Sequence, residues 1–515
     1  MKRHFDIAII GSGFAGSLLA LIARRLGRCV VMLERGHHPR FAIGESSTPL
    51  ANLLLEQLAA RYDLPGVAAL SKWGTWQQKH PAIGCGLKRG FTFYHHNFGQ
   101  AWKETGDRCN ELLVAASPRD AIADTHWYRP DLDHFLVREA QTAGVELMDD
   151  TTISQVSFGA GGADVRAARH GETVEFTASF LVDATGPRGG LQTLNGAKQS
   201  EMEFMPPTVG LYTHFRGVQR FDELRAHSPA LPYPIDDAAV HHVFPGGWIW
   251  VLRFNNGITS AGVAATKELG DRFGFADGQK AWTRLLDRLP TVKAQFEKAT
   301  PILPFVYAPR LCFRTETIAG SGWTMLPSAA GFVDPLLSTG FPLTLLGIKR
   351  LADIIEHHWG SGALEERVQS YAHQTERELR TAERLVAALY GSMNDFELFA
   401  RISLLYFAAA SYSEAALRLE REDLTGGSFL LEDHPRFGPA MRDCLKCVLT
   451  NSRDRSEMME AIQKAIEVVD IAGLGNFSRR NWYPARAEDL LAAAAKLDSS
   501  EKEIRAMLER TGFAG

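Results

Sequence analysis

The stretch Phe5-Asp-Ile-Ala-Ile-Ile10-Gly11-Ser-Gly13-Phe-Ala-Gly16-Ser-Leu-Leu-Ala20 decides the fold of this 515-residue chain. Residues 4–10 alternate and end in β-branched side chains, the pattern of a buried parallel strand. Residues 14–26 carry helix formers, and Cys29–Leu33 reads as a second strand, so the three make a βαβ unit. Three glycines punctuate the first turn. Gly11 permits the tight bend, Gly13 lets the backbone approach a pyrophosphate, and Gly16 lets helix and strand pack closely. The helix start then presents unpaired N–H groups to phosphate oxygens. Glu34 ends the second strand, 23 positions after Gly11, where a carboxylate accepts hydrogen bonds from ribose hydroxyls. Phe14, Ala15 and Arg35 flank these positions and join the same candidate dinucleotide site. Glycines alone would suit a purely structural turn, but such a turn leaves Glu34 unexplained.

The bulk numbers exclude several classes. Hydrophobic content of 45%, charged content of 23% and a net charge of −4 describe a globular chain with no electrostatic pull toward nucleic acid or an anionic membrane. Its length implies two or more lobes. Lys2 and Arg3 before Ile7–Ile10 imitate a signal peptide. The glycines, the following Arg24 and Arg25, and the lack of a small-residue cleavage site argue against one. No apolar run approaches the roughly 18 residues of a membrane span. Six scattered cysteines, with Cys444-x-x-Cys447 lacking a second pair, read as reduced thiols of a cytoplasmic protein with no metal site.

Further strands are expected at Phe91–Tyr94, Thr152–Phe158, Phe180–Val182, Val240–Phe244, Trp248–Phe254 and Ile258–Ala264, with a hairpin turn at Gly159–Gly162. From about Phe341 helix formers dominate, including Ala363–Ala388 and Ala487–Arg510. The class is α/β (α+β). The expected division is 1–195, a dinucleotide-binding domain; 196–312, a second sheet; 313–355, a return to the first domain; and 356–515, a helical region.

Two later segments make the dinucleotide FAD rather than NAD. Leu181-Val-Asp183-Ala-Thr185-Gly186-Pro187 resembles the strand that closes the FAD site in glutathione-reductase-type flavoproteins. Ala330-Gly331-Phe332-Val-Asp334-Pro335 resembles their flavin-contacting loop before a long helix. The Gly-Asp that usually leads that loop is Pro327-Ser328 here, which implies loosely held FAD and a protein that purifies largely colourless. No second strand–GxGxxG–helix unit stands ready for a nicotinamide, so the electrons are expected from elsewhere.

Taken together, these residues resemble the flavin-dependent halogenases, pyrrole and phenol types above all. The resemblance runs to about residue 355. It rests on Ile43-Gly44-Glu45-Ser46-Ser47, Gly86-Leu87-Lys88-Arg89-Gly90-Phe91, Tyr128-Arg129-Pro130-Asp131-Leu132-Asp133, His241-His242-Val-Phe-Pro-Gly246-Gly247-Trp248-Ile-Trp250 and Asp334-Pro335-Leu336-Leu337-Ser338-Thr339-Gly340. Two departures stand out. The family's Trp-x-Trp-x-Ile-Pro ends here in Val-Leu252-Arg253, and Leu337 stands where tryptophan-type enzymes carry glutamate.

The resemblance implies a chemistry. Reduced FAD (FADH2), supplied by a separate flavin reductase, would react with O2 and with chloride or bromide to give hypohalous acid. That acid would travel to a lysine and halogenate a small electron-rich aromatic substrate, free or tethered to a carrier protein. Lys88 is the implied lysine, acting as a neutral amine or as an ammonium donor, with Lys72 second. The alternative is an exposed strand-end lysine beside Arg89. Glu45, Ser46, Arg129, Asp183, Gly186, Gly331, Phe332 and Phe341 would contact FAD. Ser338, Thr339 and Gly340 would hold the halide, and Ser338 or Thr339 could equally cap a helix. Trp248 and Trp250, two apart on a strand, share a face and would line the passage, or simply fill a core. His95-His96 and His241-His242 point to opposite faces and make no metal site. An FAD-dependent hydroxylase and a geranylgeranyl-reductase-like flavoprotein share the first motif and remain as alternatives.

Overall fold

The computed structural model describes residues 2–159, 162–188, 190, 191, 199–225 and 231–513. Strand Arg3–Ile10 lies at the centre of an eight-stranded sheet. Val30–Leu33 and Glu146–Met148 lie to one side, Glu172–Asp183 and Trp323–Met325 to the other, and all five run parallel. Ile7, Ala8 and Ile9 have no exposed surface, as a parallel strand covered on both faces requires. Helix Phe14–Arg25 makes the crossover and buries every residue from Phe14 to Ala23. Gly16 permits that contact: a Cβ there would sit 2.0 Å from the Gly11 carbonyl oxygen. Strands Thr151–Gly159 and Gly162–Arg169 pair antiparallel with Gly159 opposite Gly162. Residues 160 and 161 of the expected hairpin turn lie outside the described residues.

A nine-stranded sheet forms the second layer. Its centre is Thr208–Arg216, Thr259–Thr266, Gly247–Arg253 and Ala239–Phe244. Beyond Ala239–Phe244 come Gly90–His95 and Glu111–Ala115 from the N-terminal part of the chain, and then Trp482–Tyr483 from the tail. A separate two-stranded ladder joins Cys85–Lys88 to Asp124–Trp127, with Lys88 opposite Asp124. One bridge, Ser46 to His126, ties this ladder to the loop after the second strand.

The tail is mostly helical. Gly340–His358 packs on the first sheet's helices, followed by Leu364–Gly391, Phe396–Arg418, Phe437–Thr450 and Arg455–Val469. Phe396–Arg418 is buried nearly all round, so it runs through the core rather than along a surface. The helix-forming run Ala487–Arg510 does not form one helix. Asp498 takes a left-handed conformation (φ +47°). Ser500 and Glu503 then build a capping box that starts helix Glu501–Thr511. All six cysteines are unpaired. Among the described residues no helix is long and apolar enough to cross a membrane.

Candidate active site

The dinucleotide end is built around Glu34. Its Oε2 accepts from the Ser12 N–H (3.2 Å), the Ser12 hydroxyl (3.0 Å) and Arg40 Nη2 (3.0 Å), and Oε1 accepts from the Gly36 N–H (3.1 Å). Burial works against the charge, but Arg40 and these donors overcome it and hold the carboxyl at about 2. Arg129 is buried and locked to Asp133 through two bonds, Nε to Oδ1 at 2.7 Å and Nη2 to Oδ2 at 2.8 Å. A Cβ on Gly13 would lie 3.5 Å from Arg129 Nη2 and 3.7 Å from Arg40 Nη2. Two guanidinium groups thus overlook the helix start where pyrophosphate is expected, and the residues fit FAD. Arg35, by contrast, is exposed beyond the end of the strand.

The closing elements meet here too. Gly11 has φ +99°, and a Cβ on it would be 2.8 Å from the Ala184 carbonyl oxygen. The loop after that strand is tied by Asp183, whose carboxylate accepts from the N–H groups of Thr185 (2.9 Å) and Leu191 (2.8 Å). Gly186 follows in the left-handed region (φ +63°). Gly331 and Phe332 pair with Arg314 and Phe313. The unusual Pro327 has its own partner: its ring lies against Gly347 of helix Gly340–His358, where a Cβ would be 2.5 Å away.

Lys88 lies at the inner end with no exposed surface, so the exposed strand-end alternative is wrong. Its Nζ donates to Ser46 Oγ (2.9 Å) and to the Ser47 carbonyl, and stands 3.8 Å from the Phe91 ring centre. Burial pulls its ammonium down and pushes the Asp124 carboxyl opposite it up, while their mutual attraction opposes both shifts. Arg89 turns away to Asp120 (2.6 Å), and Lys72 pairs with Glu56 (3.4 Å). The Ser46 loop is pinned by Arg129 Nη1, which donates to the carbonyls of Ile43 (3.1 Å) and Gly44 (2.9 Å). Glu45 turns its side chain to His214 Nε2, 2.7 Å away. Beside this loop Phe14, Trp127 and Phe341 pack together, with Trp127 stacked on Phe341 at 4.4 Å.

The Asp334–Gly340 loop is braced from three sides. Asp334 accepts from Trp248 Nε1 (3.2 Å), the Tyr390 hydroxyl (2.9 Å) and the Leu336 N–H (3.0 Å). Burial outweighs these bonds and pushes its carboxyl up to about 7. Leu337 (φ +64°) and Ser338 (φ +55°) are both left-handed, a strained pair for residues with side chains. Tyr406 holds the pair by donating to the Leu337 carbonyl (2.9 Å). The Ser338 N–H is taken by Pro335 (3.0 Å), so its amide serves the loop itself. Neither Ser338 nor Thr339 caps helix Gly340–His358 through its side chain; that expectation fails because Thr339 already has helical angles. Trp248 and Trp250 share a face, their rings 5.7 Å apart, and Trp250 Nε1 donates to Ser260 Oγ (3.2 Å). The histidine pairs do split across faces: His95 reaches the Met393 carbonyl, His96 pairs with His242, and His241 stacks on Phe93.

Next to Lys88 opens a cavity of about 170 Å³. Its walls are apolar, with Leu50, Phe91, Val114, Phe407, Ile471 and Tyr483 among them. Asp124, Ser117, Tyr406 and Pro342 also face it. The walls come from many separate stretches of chain, helix Phe396–Arg418 among them.

Residues 6–316 match the family model described as FAD dependent oxidoreductase. The chain belongs to that family. This oxidoreductase is 29% identical over 405 residues to the monodechloroaminopyrrolnitrin halogenase PrnC of Pseudomonas fluorescens, covering 77% of this chain and 70% of that one. It is 30% identical over 352 residues to the tetracycline 7-halogenase of Kitasatospora aureofaciens, covering 66% of this chain and 61% of the relative. It is 25% identical over 358 residues to a 1H-pyrrole-2-carbonyl-[peptidyl-carrier protein] brominase of Pseudoalteromonas luteoviolacea (strain 2ta16), covering 69% and 78%. The fold of halogenase PltM in complex with phloroglucinol and FAD superposes with a TM-score of 0.80 at 24% identity, over 92% of this chain and 99% of that one. The relatives of this FAD-dependent enzyme are thus flavin-dependent halogenases.

Proposed function

We propose that this oxidoreductase uses FADH2, O2 and chloride or bromide to halogenate a small electron-rich aromatic, pyrrole- or phenol-like, in the cavity beside Lys88. The observation that carries the reading is the position of Lys88. It is fully buried, bonded to Ser46 of the flavin-side loop and in contact with Phe91 of the cavity wall. Reduced FAD, when bound, supplies with O2 the oxidising equivalents that turn halide into hypohalous acid. Thr339 and Gly340 at the helix start hold the halide, and Trp248 keeps their loop in place through Asp334.

An ammonium has three N–H donors. Ser46 and Ser47 take two of the Lys88 donors, leaving one for the oxygen of hypohalous acid. That bond polarises the oxygen–halogen bond and makes the halogen electrophilic. The aromatic ring's π electrons form the new carbon–halogen bond and the C–H pair returns to the ring. The departing proton and hydroxide leave as water. A separate flavin reductase supplies FADH2.

The test is turnover of purified protein with FAD, a flavin reductase, NADH, O2 and bromide on monochlorodimedone, free phenols and pyrroles, and a carrier-bound pyrrole. Bromination by the wild type that disappears in Lys88→Ala, with FAD affinity retained, supports the reading. Oxygenated rather than brominated product, or full activity in Lys88→Ala, overturns it.

A further inference from the structure

One cation on the wall of the Lys88 cavity has no counter-charge. Lys72 pairs with Glu56 (3.4 Å) and Arg418 with Glu414 (2.7 Å). Arg486 lines the same cavity and is exposed, yet among the described residues it makes no ion pair and no side-chain hydrogen bond. The acids that follow it do not neutralise it: Asp489 is held by Arg479 (2.7 Å), and Glu488 is exposed without an ion pair. Its neighbours on the wall are apolar, with Leu490 from its own segment and Met507 and Leu508 from the last helix. An anion on such a wall loses part of its hydration, which strengthens its attraction to a guanidinium.

The sheet leads from Lys88 to this arginine. Phe91, which touches Lys88 Nζ at 3.8 Å, stands opposite Val114, and Val114 stands opposite Tyr483. All three line the cavity, so they form one row on the same face. Two strand spacings make that row about 10 Å long. Three residues past Tyr483, at most about 11 Å of chain, the wall reaches solvent at Arg486. The cavity is thus closed and apolar at the lysine and open and cationic at its far end.

We infer that Arg486 is a specificity residue that binds a carboxylate at the outer end of the cavity. The substrate is then a free aromatic acid, its ring toward Lys88 and a short aliphatic spacer lying along Phe91, Val114 and Tyr483. The role of the ring rests on the halogenase reading above; the binding of the carboxylate does not. A guanidinium meets a carboxylate with two parallel N–H donors, a match that an ester or amide cannot return. An acyl group tethered to a carrier has given up its carboxylate to the thioester. Arg486 therefore favours the free acid over the tethered form.

The probes are ω-(para-hydroxyphenyl)pentanoic acid and its methyl ester, alike in ring and spacer and unlike in charge. With FAD-loaded wild type at low salt, calorimetry is expected to show the acid binding about fivefold tighter or more, the upper end for an exposed ion pair. That advantage should shrink as salt is raised. Arg486→Met should abolish the advantage and leave the ester unchanged, and Arg486→Lys should restore part of it. Because Arg486 is exposed and unpaired, both variants are expected to fold. In turnover, Arg486→Met should raise KM for the acid with little change in kcat. Equal binding of acid and ester, no binding of the acid, an undiminished preference in Arg486→Met, or faster bromination of the carrier-bound thioester than of the acid overturns the inference. Failure of the wild type to brominate even monochlorodimedone, with the charge preference intact, removes the halogenase reading and leaves the carboxylate site standing.

Discussion

The dinucleotide end and the cavity end of this site are built in opposite ways. Gly11, Gly13, Gly16 and Glu34 lie within 24 consecutive positions and need only one strand, one turn and one helix to come together. The cavity takes Leu50, Phe91, Asp124, Phe407 and Ile471 from separate stretches spread over most of the chain. The first is a backbone site, in which close approach leaves no room for a Cβ. The second is a side-chain site, with apolar walls and a few polar residues. Damage to the first should therefore cost the fold and FAD together, whereas damage to the second should cost chemistry alone.

Gly16→Val breaks the comparison most severely. The Cβ would meet the Gly11 carbonyl oxygen at 2.0 Å, and backbone cannot yield as a flexible side chain can. Loss of more than about 4 kcal/mol is expected, read as a collapse of the chemical-denaturation midpoint together with loss of FAD. A variant that folds and binds FAD normally would show that the two ends are not built differently.

Lys88→Ala tests the other side. Bromination should fall by about 10²–10⁴-fold, the usual worth of a positioned proton donor, while FAD titration stays within error of wild type.

Trp248→Phe sits between the two. It removes one of the donors to the buried Asp334 carboxylate and should cost about 1–3 kcal/mol of stability. The halide concentration for half-maximal rate should rise with FAD affinity unchanged; a change in FAD affinity alone would place Trp248 with the dinucleotide end.

The smallest effect is a pH dependence. Burial raises the Asp334 carboxyl from 3.8 to about 7. As pH climbs between these values, the unfolded chain has lost the proton and the folded one has not, so Asp334 withdraws stability with rising pH. Asp334→Asn lacks this proton and is less stable at low pH because one acceptor oxygen becomes a donor. Its deficit in thermal midpoint should shrink from about pH 5 to about pH 7; a constant or growing deficit would mean the carboxyl ionises normally.

How far the chain could be read follows from the same contrast. Strand Arg3–Ile10, its helix and the strands at Ala239–Phe244, Gly247–Arg253 and Thr259–Thr266 are runs of apolar or alternating residues, so their periodicity shows. Asp124–Trp127 is Asp-Thr-His-Trp, fully buried yet mostly polar, and no hydrophobic pattern reveals it. Asp124 and Trp127 were missed for that reason, and Tyr390 and Tyr406 because their partners lie far along the chain. The pairing of Trp482–Tyr483 with Glu111–Ala115 is likewise invisible to local reading.

From the residues alone came the FAD-binding turn and the sheet it enters, matters of local sterics and short spacing that a linear chain states directly. Lys88 was singled out by the resemblance to halogenases. Only the folded molecule decided that Lys88 is buried rather than exposed, that it faces Asp124, and that Trp248 braces the Asp334 loop. Burial and the partner of a charge depend on which distant segments fill the space around it, and that filling settles protonation, unpaired atoms and the form of the cavity.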